Sequence, residues 1–400
     1  RFLAKRGVNF VRMHCHIAEE SEGAAITDID EKERDTIWRY VAAAKKNGIY
    51  LLISPYWYHR KIPASWQLEG YQPGDFPVGS LYVCPRYQEA YKTWLRKLYL
   101  PENPYTGLPL TDDPTLAICK FKNEDGLLFY TYDRIAEPHM RTLRERFRDW
   151  LTAKYGSLEA ARAAWSDAPS PDDDWEAGLP GFYATWEFTR PQQGPKARRM
   201  ADEMAFRVHV QRNWYAEIER FHREELGIHQ LTTPNSWRAA DPKLMGDLER
   251  WTYTVCDVMT DNRYTGGLHQ GPRRGYMVSA GDLLTNWSLT RRPLMLPCNV
   301  KQVIGHPFVI TEVAWTNPNL YQSEGPIMLS AYMSLTGVDM ACWFHPSAPQ
   351  WDADPRFPFG EKNGRKWAGS LPMQMDMFPA AALMFRKGMV ARGPVAVREI

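Results

Sequence analysis

Two stretches decide the reading of this chain: LAICKFKNED (residues 116–125) and HPFVITEVAW (306–315). Each is an apolar run of strand length that carries an acidic residue at or near its end, Glu124 in the first and Glu312 in the second. A parallel barrel presents reactive acids in this way, because the ends of its strands line one rim. The expectation is an α/β chain, a TIM (β/α)8 barrel, with Glu124 and Glu312 as its candidate catalytic carboxylates.

Outward from these two runs, apolar segments alternate with amphipathic ones, which is the pattern of a parallel α/β architecture. Seven strands are expected, at residues 7–14, 48–56, 115–121, 228–233, 255–260, 307–312 and 338–344. Helices are expected at 31–46, 85–98, 137–155, 196–226, 242–252, 325–336 and 379–387. Gly7, Gly48, Gly227 and Gly337 each stand between a helix and the next strand, where a left-handed residue ends the helix. Arg1 to Lys5 reads as the tail of a helix, so the seven units predict a barrel lacking its first strand. Residues 1–390 form the expected catalytic barrel and 391–400 the start of a truncated C-terminal segment. Rim insertions are expected at about 59–84, 99–114 and 166–195, the last as a rim subdomain or a protomer contact.

Composition narrows the function. With 44% hydrophobic and 24% charged residues, the 400-residue chain has ordinary globular composition. A net charge of +2, spread along the sequence, provides no basic field for nucleic acid. Aromatic residues make up 13%, including 16 Trp and 20 Tyr, enough to fill a core and still stack on sugar faces. The six cysteines form no CxxC pair and read as buried free thiols. No run of 18 apolar residues is present to span a membrane. The chain opens at Arg1 in mid-pattern, and the expectation is an extracellular or periplasmic protein whose natural N-terminus lies upstream.

Cleavage of a glycoside by retention needs one carboxyl to protonate the departing oxygen and a second to attack the anomeric carbon, with roughly 5 to 5.5 Å between them. Asn123 stands beside Glu124, where an amide can hydrogen-bond the hydroxyl next to the reacting carbon. Glu124 is therefore expected as acid/base and Glu312 as nucleophile. Arg12 and Tyr264 are the candidates to hold the nucleophile as an anion.

The Asn-Glu pair after one strand, the lone Glu three strands later, the opening GVNFVRMH and a Trp in the last strand resemble glycoside hydrolase clan A, the retaining (β/α)8 glycosidases. The stretch FRDWLTAKYGSLEAARAAWS (147–166) is similar to a segment of the family 42 β-galactosidases. A family 5-like enzyme is the other member of the clan that the pattern fits. The resemblance implies that Asn123 and Glu124 are the acid-base pair and Glu312 the nucleophile. It further implies that Arg12 is the buried arginine of the second strand, Tyr264 the aromatic partner of the nucleophile and Trp343 the sugar platform. It implies a carbohydrate substrate, no cofactor and a homo-oligomer. Asp125 follows the pair where the clan has an apolar or aromatic residue, so it is either a second polar contact or a competing acid.

Tyr56 and Trp57, just past a strand, are candidate sugar stackers, and His14 a candidate substrate contact. His14 and His16 also form an HxH after a strand, the spacing of metal-dependent barrel amidohydrolases. That alternative needs later ligands, for which only Asp257 or Asp339 is available. A barrel that binds carbohydrate without cleaving it is the third reading.

Overall fold

The computed structural model describes residues 1–272, 278–345, 366–367 and 371–399. Each expected strand is present: β1 (Phe10–His14), β2 (Tyr50–Ser54), β3 (Leu116–Lys120), β4 (Leu231–Thr233), β5 (Met259–Thr265), β6 (Phe308–Trp315) and β7 (Met340–Trp343). They form a four-stranded sheet in the order β1-β2-β3-β4 and a three-stranded sheet in the order β5-β6-β7. Sequence order is thus spatial order, and the pairings β3–β4, β5–β6 and β6–β7 are parallel. This is the strand arrangement of a (β/α)8 barrel. Among the described residues the ladders make these two sheets and no closed ring.

The strands form where sequence favours them. β6 reads FVITEVAW, rich in β-branched residues, and every one of its residues is buried between two parallel neighbours. Boundaries differ from expectation most at four strands: β1 starts at Phe10 and not at residue 7, β6 runs past Glu312 to Trp315 so that Glu312 lies inside the strand, and two others shift further. The run at 228–233 keeps only Leu231–Thr233, because the Arg223 guanidinium takes the carbonyls of Ile228 (3.0 Å) and Gln230 (2.7 Å) out of any ladder. The strand expected at 255–260 lies at Met259–Thr265 instead. Cys256 and Val258 are buried in the turn before it, and its polar end is drawn into the sheet by pairing with Glu312–Trp315.

The helices between strands are α1 (Glu31–Lys46), α2 (Pro85–Tyr99), α3 (His139–Tyr155), α4 (Leu158–Ala164), α5 (Gly194–Arg220), α6 (Gly246–Tyr253), α7 (Glu324–Thr336) and α8 (Phe378–Arg386). Asp30 starts α1 by accepting from the amides of Lys32 and Glu33 at 2.9 and 3.0 Å, and the helix ends in Lys45 and Lys46, matching its dipole. Gly7, Gly48, Gly227 and Gly337 all have φ between 64° and 78°, as helix-ending residues before a strand should.

By Cα proximity the chain divides into two compact units. One comprises Arg1–Arg12, Ala44–Leu51 and Val258–Ile400; the other comprises Met13–Ala43 and Leu52–Asp257. The first holds β5, β6 and β7 with α7 and α8. The second holds β3 and β4 with α2 to α6 and an aromatic core that includes Trp66, Tyr87, Tyr91 and Trp94, each at most 1% exposed. Its insertion at 166–195 is ordered and tied to α5, where Arg199 reaches Asp173 Oδ2 and the carbonyl of Ala168, both at 2.7 Å. All six cysteines are free, five buried and Cys342 half-buried. Among the described residues no helix is long and apolar enough to cross a membrane.

Candidate active site

In the first unit the chemistry gathers on Glu312, which is 5% exposed within β6. The two ladders of β6 share an irregularity here. Ile310 pairs with Asp261 and Glu312 with Asn262, leaving Thr311 as an extra residue, and the same slip occurs against β7 between Ile310 and Val313. In a regular strand residues 310 and 312 face the same way; one inserted residue turns Glu312 to the opposite face. The Thr311 hydroxyl then donates to Asn262 Oδ1 at 2.7 Å, fastening the bulge.

Two donors meet the carboxylate so presented. Arg12 Nη1 donates to Glu312 Oε1 and also contacts the Thr311 carbonyl at 3.4 Å. The Tyr264 hydroxyl donates to Glu312 Oε2. The Arg12 and Glu312 side chains are only 3% and 6% exposed, so little water competes with their attraction. A guanidinium on one oxygen and a phenol on the other fix the orientation of the carboxylate. Tyr264 is 38% exposed, and its ring is flanked by Phe344 and Trp367, both at 5.9 Å between centroids. Trp343 lies flat against Trp315 (5.5 Å, 9°), has Phe378 at its edge and donates from Nε1 to Gln374 Oε1 at 3.1 Å. One of its faces is therefore covered by protein.

In the second unit the segment after β3 is held at almost every residue. The Asn123 amide donates to the Tyr56 carbonyl at 3.0 Å, and Asn123 forms a parallel bridge with Trp57. Asp125 is 1% exposed and accepts at Oδ2 from Lys122 Nζ (2.8 Å) and the Gly79 amide (3.3 Å), while its carbonyl accepts from the Tyr82 hydroxyl and Asn235 Nδ2. Asp125 is thus a structural anion paired to a fully buried lysine. Burial pushes the Lys122 ammonium below its ordinary pKa, with Asp125 opposing that shift. Between these anchored neighbours, Glu124 is half-buried with φ 46°, the left-handed region that a residue with a side chain rarely occupies. Such backbone strain, on the order of 1 kcal/mol or more, persists only where the surroundings enforce it, and it concentrates at functional sites.

The remaining candidates separate. Trp57 is half-buried, edge-on to His14 at 5.5 Å and tilted by 34° against His59 at 4.2 Å. Tyr56 is 1% exposed and packed by His16, Tyr87 and Tyr91, so it acts on the site through its carbonyl to Asn123 and offers no ring face to a sugar. His16 lies in that same core, where burial pushes its imidazole down to about 3. His14 and His16 therefore face different aromatic partners. Among the described residues no group of three His, Cys, Asp or Glu side chains is placed to hold a metal.

Sequence reasoning missed Lys120, Lys122 and Ser236 around the KNED segment, Asn262 at the bulge next to Glu312, and Phe344 and Trp367 around Tyr264. The lysines carried a signal: two charges inside the apolar run ICKFK, where a buried strand leaves no room for an unpaired one.

No protein-family model and no curated protein matches the sequence. Solved structures do. The chain superposes on an endo-beta-1,4-mannanase from Thermotoga petrophila with TM-score 0.50 and 12% identity, over 99% of this chain and 73% of that one. It superposes on a glycoside hydrolase family 5 mannosidase from Rhizomucor miehei with TM-score 0.50 and 10% identity, over 96% and 87%. An agarase matches with TM-score 0.50 and 13% identity over 89% of this chain, which spans about half of the agarase at 46%. The chain has a TIM-barrel fold. The barrels it is similar to carry glycosidase names.

Proposed function

We propose that this protein is a retaining glycoside hydrolase acting on a β-linked glycoside or polysaccharide, with Glu312 as nucleophile and Glu124 as acid/base. The observation that carries this reading is the convergence of Arg12 and Tyr264 on Glu312 at the bulge of β6. A buried carboxylate with both oxygens engaged by donors is held in place for attack, whereas a merely structural glutamate needs no phenol from an exposed tyrosine. The left-handed backbone at Glu124, next to an anchored Asn123, supports the second role. The mannanase and mannosidase names of the similar barrels support a glycoside as the substrate class.

In the first step a Glu312 oxygen bonds to the anomeric carbon while Glu124 delivers its proton to the departing oxygen and the glycosidic bond breaks. In the second, water attacks that carbon, Glu124 takes the water's proton and the ester to Glu312 breaks, so configuration is retained. Asn123 contributes by hydrogen-bonding the 2-hydroxyl more strongly as charge develops.

The test has two arms. A 2-deoxy-2-fluoro glycosyl fluoride, chosen after screening aryl β-glycosides, is expected to label Glu312 and to leave Glu312→Gln unlabelled. Glu124→Ala is expected to lose turnover and to recover part of it with azide, which needs no general base. Labelling at another residue would overturn Glu312 as nucleophile, and turnover that requires stoichiometric zinc would overturn the proposal in favour of the His14 and His16 alternative.

A further inference from the structure

In the proposed reaction the departing group takes its proton from Glu124, so the residues around Glu124 are the ones it meets. Beyond the ends of β3 and β4 two segments of the second unit run side by side. The amides of Phe121 and Lys122 donate to the carbonyls of Thr233 and Pro234 at 3.0 and 3.1 Å, Ser236 Oγ donates to Asn123 Oδ1 at 3.2 Å, and Asn235 Nδ2 donates to the Asp125 carbonyl at 3.1 Å. Asn235 and Ser236 thus bond the residues on either side of Glu124, and Trp237 follows them in the chain. The Phe129 ring stands edge-on to the Trp237 ring (4.9 Å, 75°), and the Tyr130 ring edge-on to Phe129 (5.2 Å, 77°).

These three rings differ from the aromatic core of the same unit. Trp66, Tyr87, Tyr91 and Trp94 are at most 1% exposed, whereas Phe129 and Trp237 are half-buried and Tyr130 is exposed. Trp237 is held in place: the Tyr253 hydroxyl donates to its carbonyl at 3.0 Å, Phe129 meets its ring, and its Nε1 is covered. The part of the indole left open is therefore ring carbon, a flat apolar surface of the kind that stacks on the C–H face of a sugar. Arg238 is exposed, its guanidinium lies 5.9 Å from the centre of that ring, and it has no acidic partner among the described residues. Its N–H groups can serve the hydroxyls that rim a stacked sugar. We infer that Trp237, braced by Phe129, forms a binding subsite for a sugar on the leaving-group side, so that the protein cleaves a sugar–sugar linkage and also transfers its glycosyl group to sugar acceptors. The inference rests on the assignment of Glu124 as acid/base above, and adds to it the kind of group that departs and the kind that can take its place. In the transfer an acceptor hydroxyl replaces water: its oxygen bonds to the anomeric carbon, Glu124 takes its proton and the ester to Glu312 breaks, leaving a new glycosidic bond.

The covalent intermediate isolates this subsite from the rest of the chemistry. The enzyme is labelled with the 2-deoxy-2-fluoro glycosyl fluoride and freed of excess reagent. Its return to activity is then followed in buffer alone and with cellobiose, β-1,4-mannobiose or lactose added. Water and sugar both need Glu124 as base, so the ratio of the two rates reads the acceptor site and not the state of Glu124. In wild type the best acceptor is expected to speed recovery about tenfold, with the fluorinated trisaccharide seen by mass spectrometry. In Trp237→Ala the ratio is expected to fall to near one, and in Trp237→Phe to an intermediate value. Trp237→Phe keeps a ring beside Phe129 and serves alone if Trp237→Ala does not fold. No acceleration by any acceptor in wild type, or the same ratio in wild type and variants, would overturn the subsite, while labelling of Glu312 leaves the glycosidase reading intact. A fall in both rates with the ratio kept would assign Trp237 to the support of Glu124 and overturn the subsite as well. A folded wild type that hydrolyses no aryl β-glycoside and takes no fluorosugar label would overturn both.

Discussion

At the scale of single residues, the two side chains that meet Glu312 are unequal. Arg12 and Glu312 form a pair with 3% and 6% of their side chains exposed. Removing one member of a buried pair costs about 3–5 kcal/mol of stability, since the survivor stays charged and desolvated. Arg12→Met should therefore damage the fold as well as the chemistry. Tyr264 is different: at 38% exposure it contributes little to the core, yet its hydroxyl is on the carboxylate. Tyr264→Phe keeps the ring and its packing on Phe344 and Trp367 while deleting one hydrogen bond to an anion, worth about 1.5–3 kcal/mol. The expected outcome is a melting temperature close to wild type with a fall in kcat of about tenfold to a hundredfold, measured on the best aryl glycoside. An unchanged kcat would show that the phenol is incidental to the reaction. Both residues were legible in the sequence, Arg12 from an arginine inside the strand GVNFVRMH and Tyr264 from its place after a strand.

At the scale of the element, β6 shows what a sequence does and does not reveal. Its existence was plain, because a central parallel strand is apolar on both faces and reads as a continuous run. Its bulge was not. FVITEVAW carries no glycine and no proline, and the slip at Thr311 follows from pairing with β5 and β7, which lie 50 residues before it and 30 after. The KNED segment is a similar case. Asn123 and Glu124 were evident as a motif, but the anchors that hold them, Ser236 and Asn235 after β4 and Tyr82 in the 59–84 insertion, come from distant segments. Buried lysines could have flagged the segment; nothing local could have named their partners. The bulge also makes a prediction of its own. Thr311→Val keeps the size of a 1% exposed side chain and removes the donor to Asn262 Oδ1. A loosened bulge misdirects the carboxylate more than it weakens substrate binding. The loss is thus expected mainly in kcat and in the rate of fluorosugar labelling, by about tenfold, with KM nearly unchanged. An intact labelling rate would mean that backbone pairing alone sets the bulge.

At the scale of the whole molecule, the order of the strands was the most readable property, because alternation of apolar and amphipathic runs is repeated along the entire chain. The insertion at 166–195 was the least readable, since its order depends on one arginine of α5. Arg199 is fully buried and takes Asp173, the carbonyls of Ala168 and Gly181, and Glu203 into a single network, while Glu203 accepts from the Tyr183 amide at 3.0 Å. Thirty residues with no periodicity and three aspartates in a row would otherwise remain solvated. Arg199→Met keeps most of the aliphatic bulk and leaves Asp173 without its cation, while Glu203 keeps Arg207 nearby. The expected cost is about 3–5 kcal/mol, read as a lower urea midpoint. Chymotrypsin should then cut after Trp186, which is 47% exposed and lies in the same insertion, well before it cuts the apolar strands. Adding Asp173→Asn to Arg199→Met should return part of the stability, because the aspartate no longer keeps an unpaired charge. Equal proteolysis of wild type and variant would place the order of this segment in its aromatic packing, Phe182 against Phe147 and Phe206, rather than in the charge network.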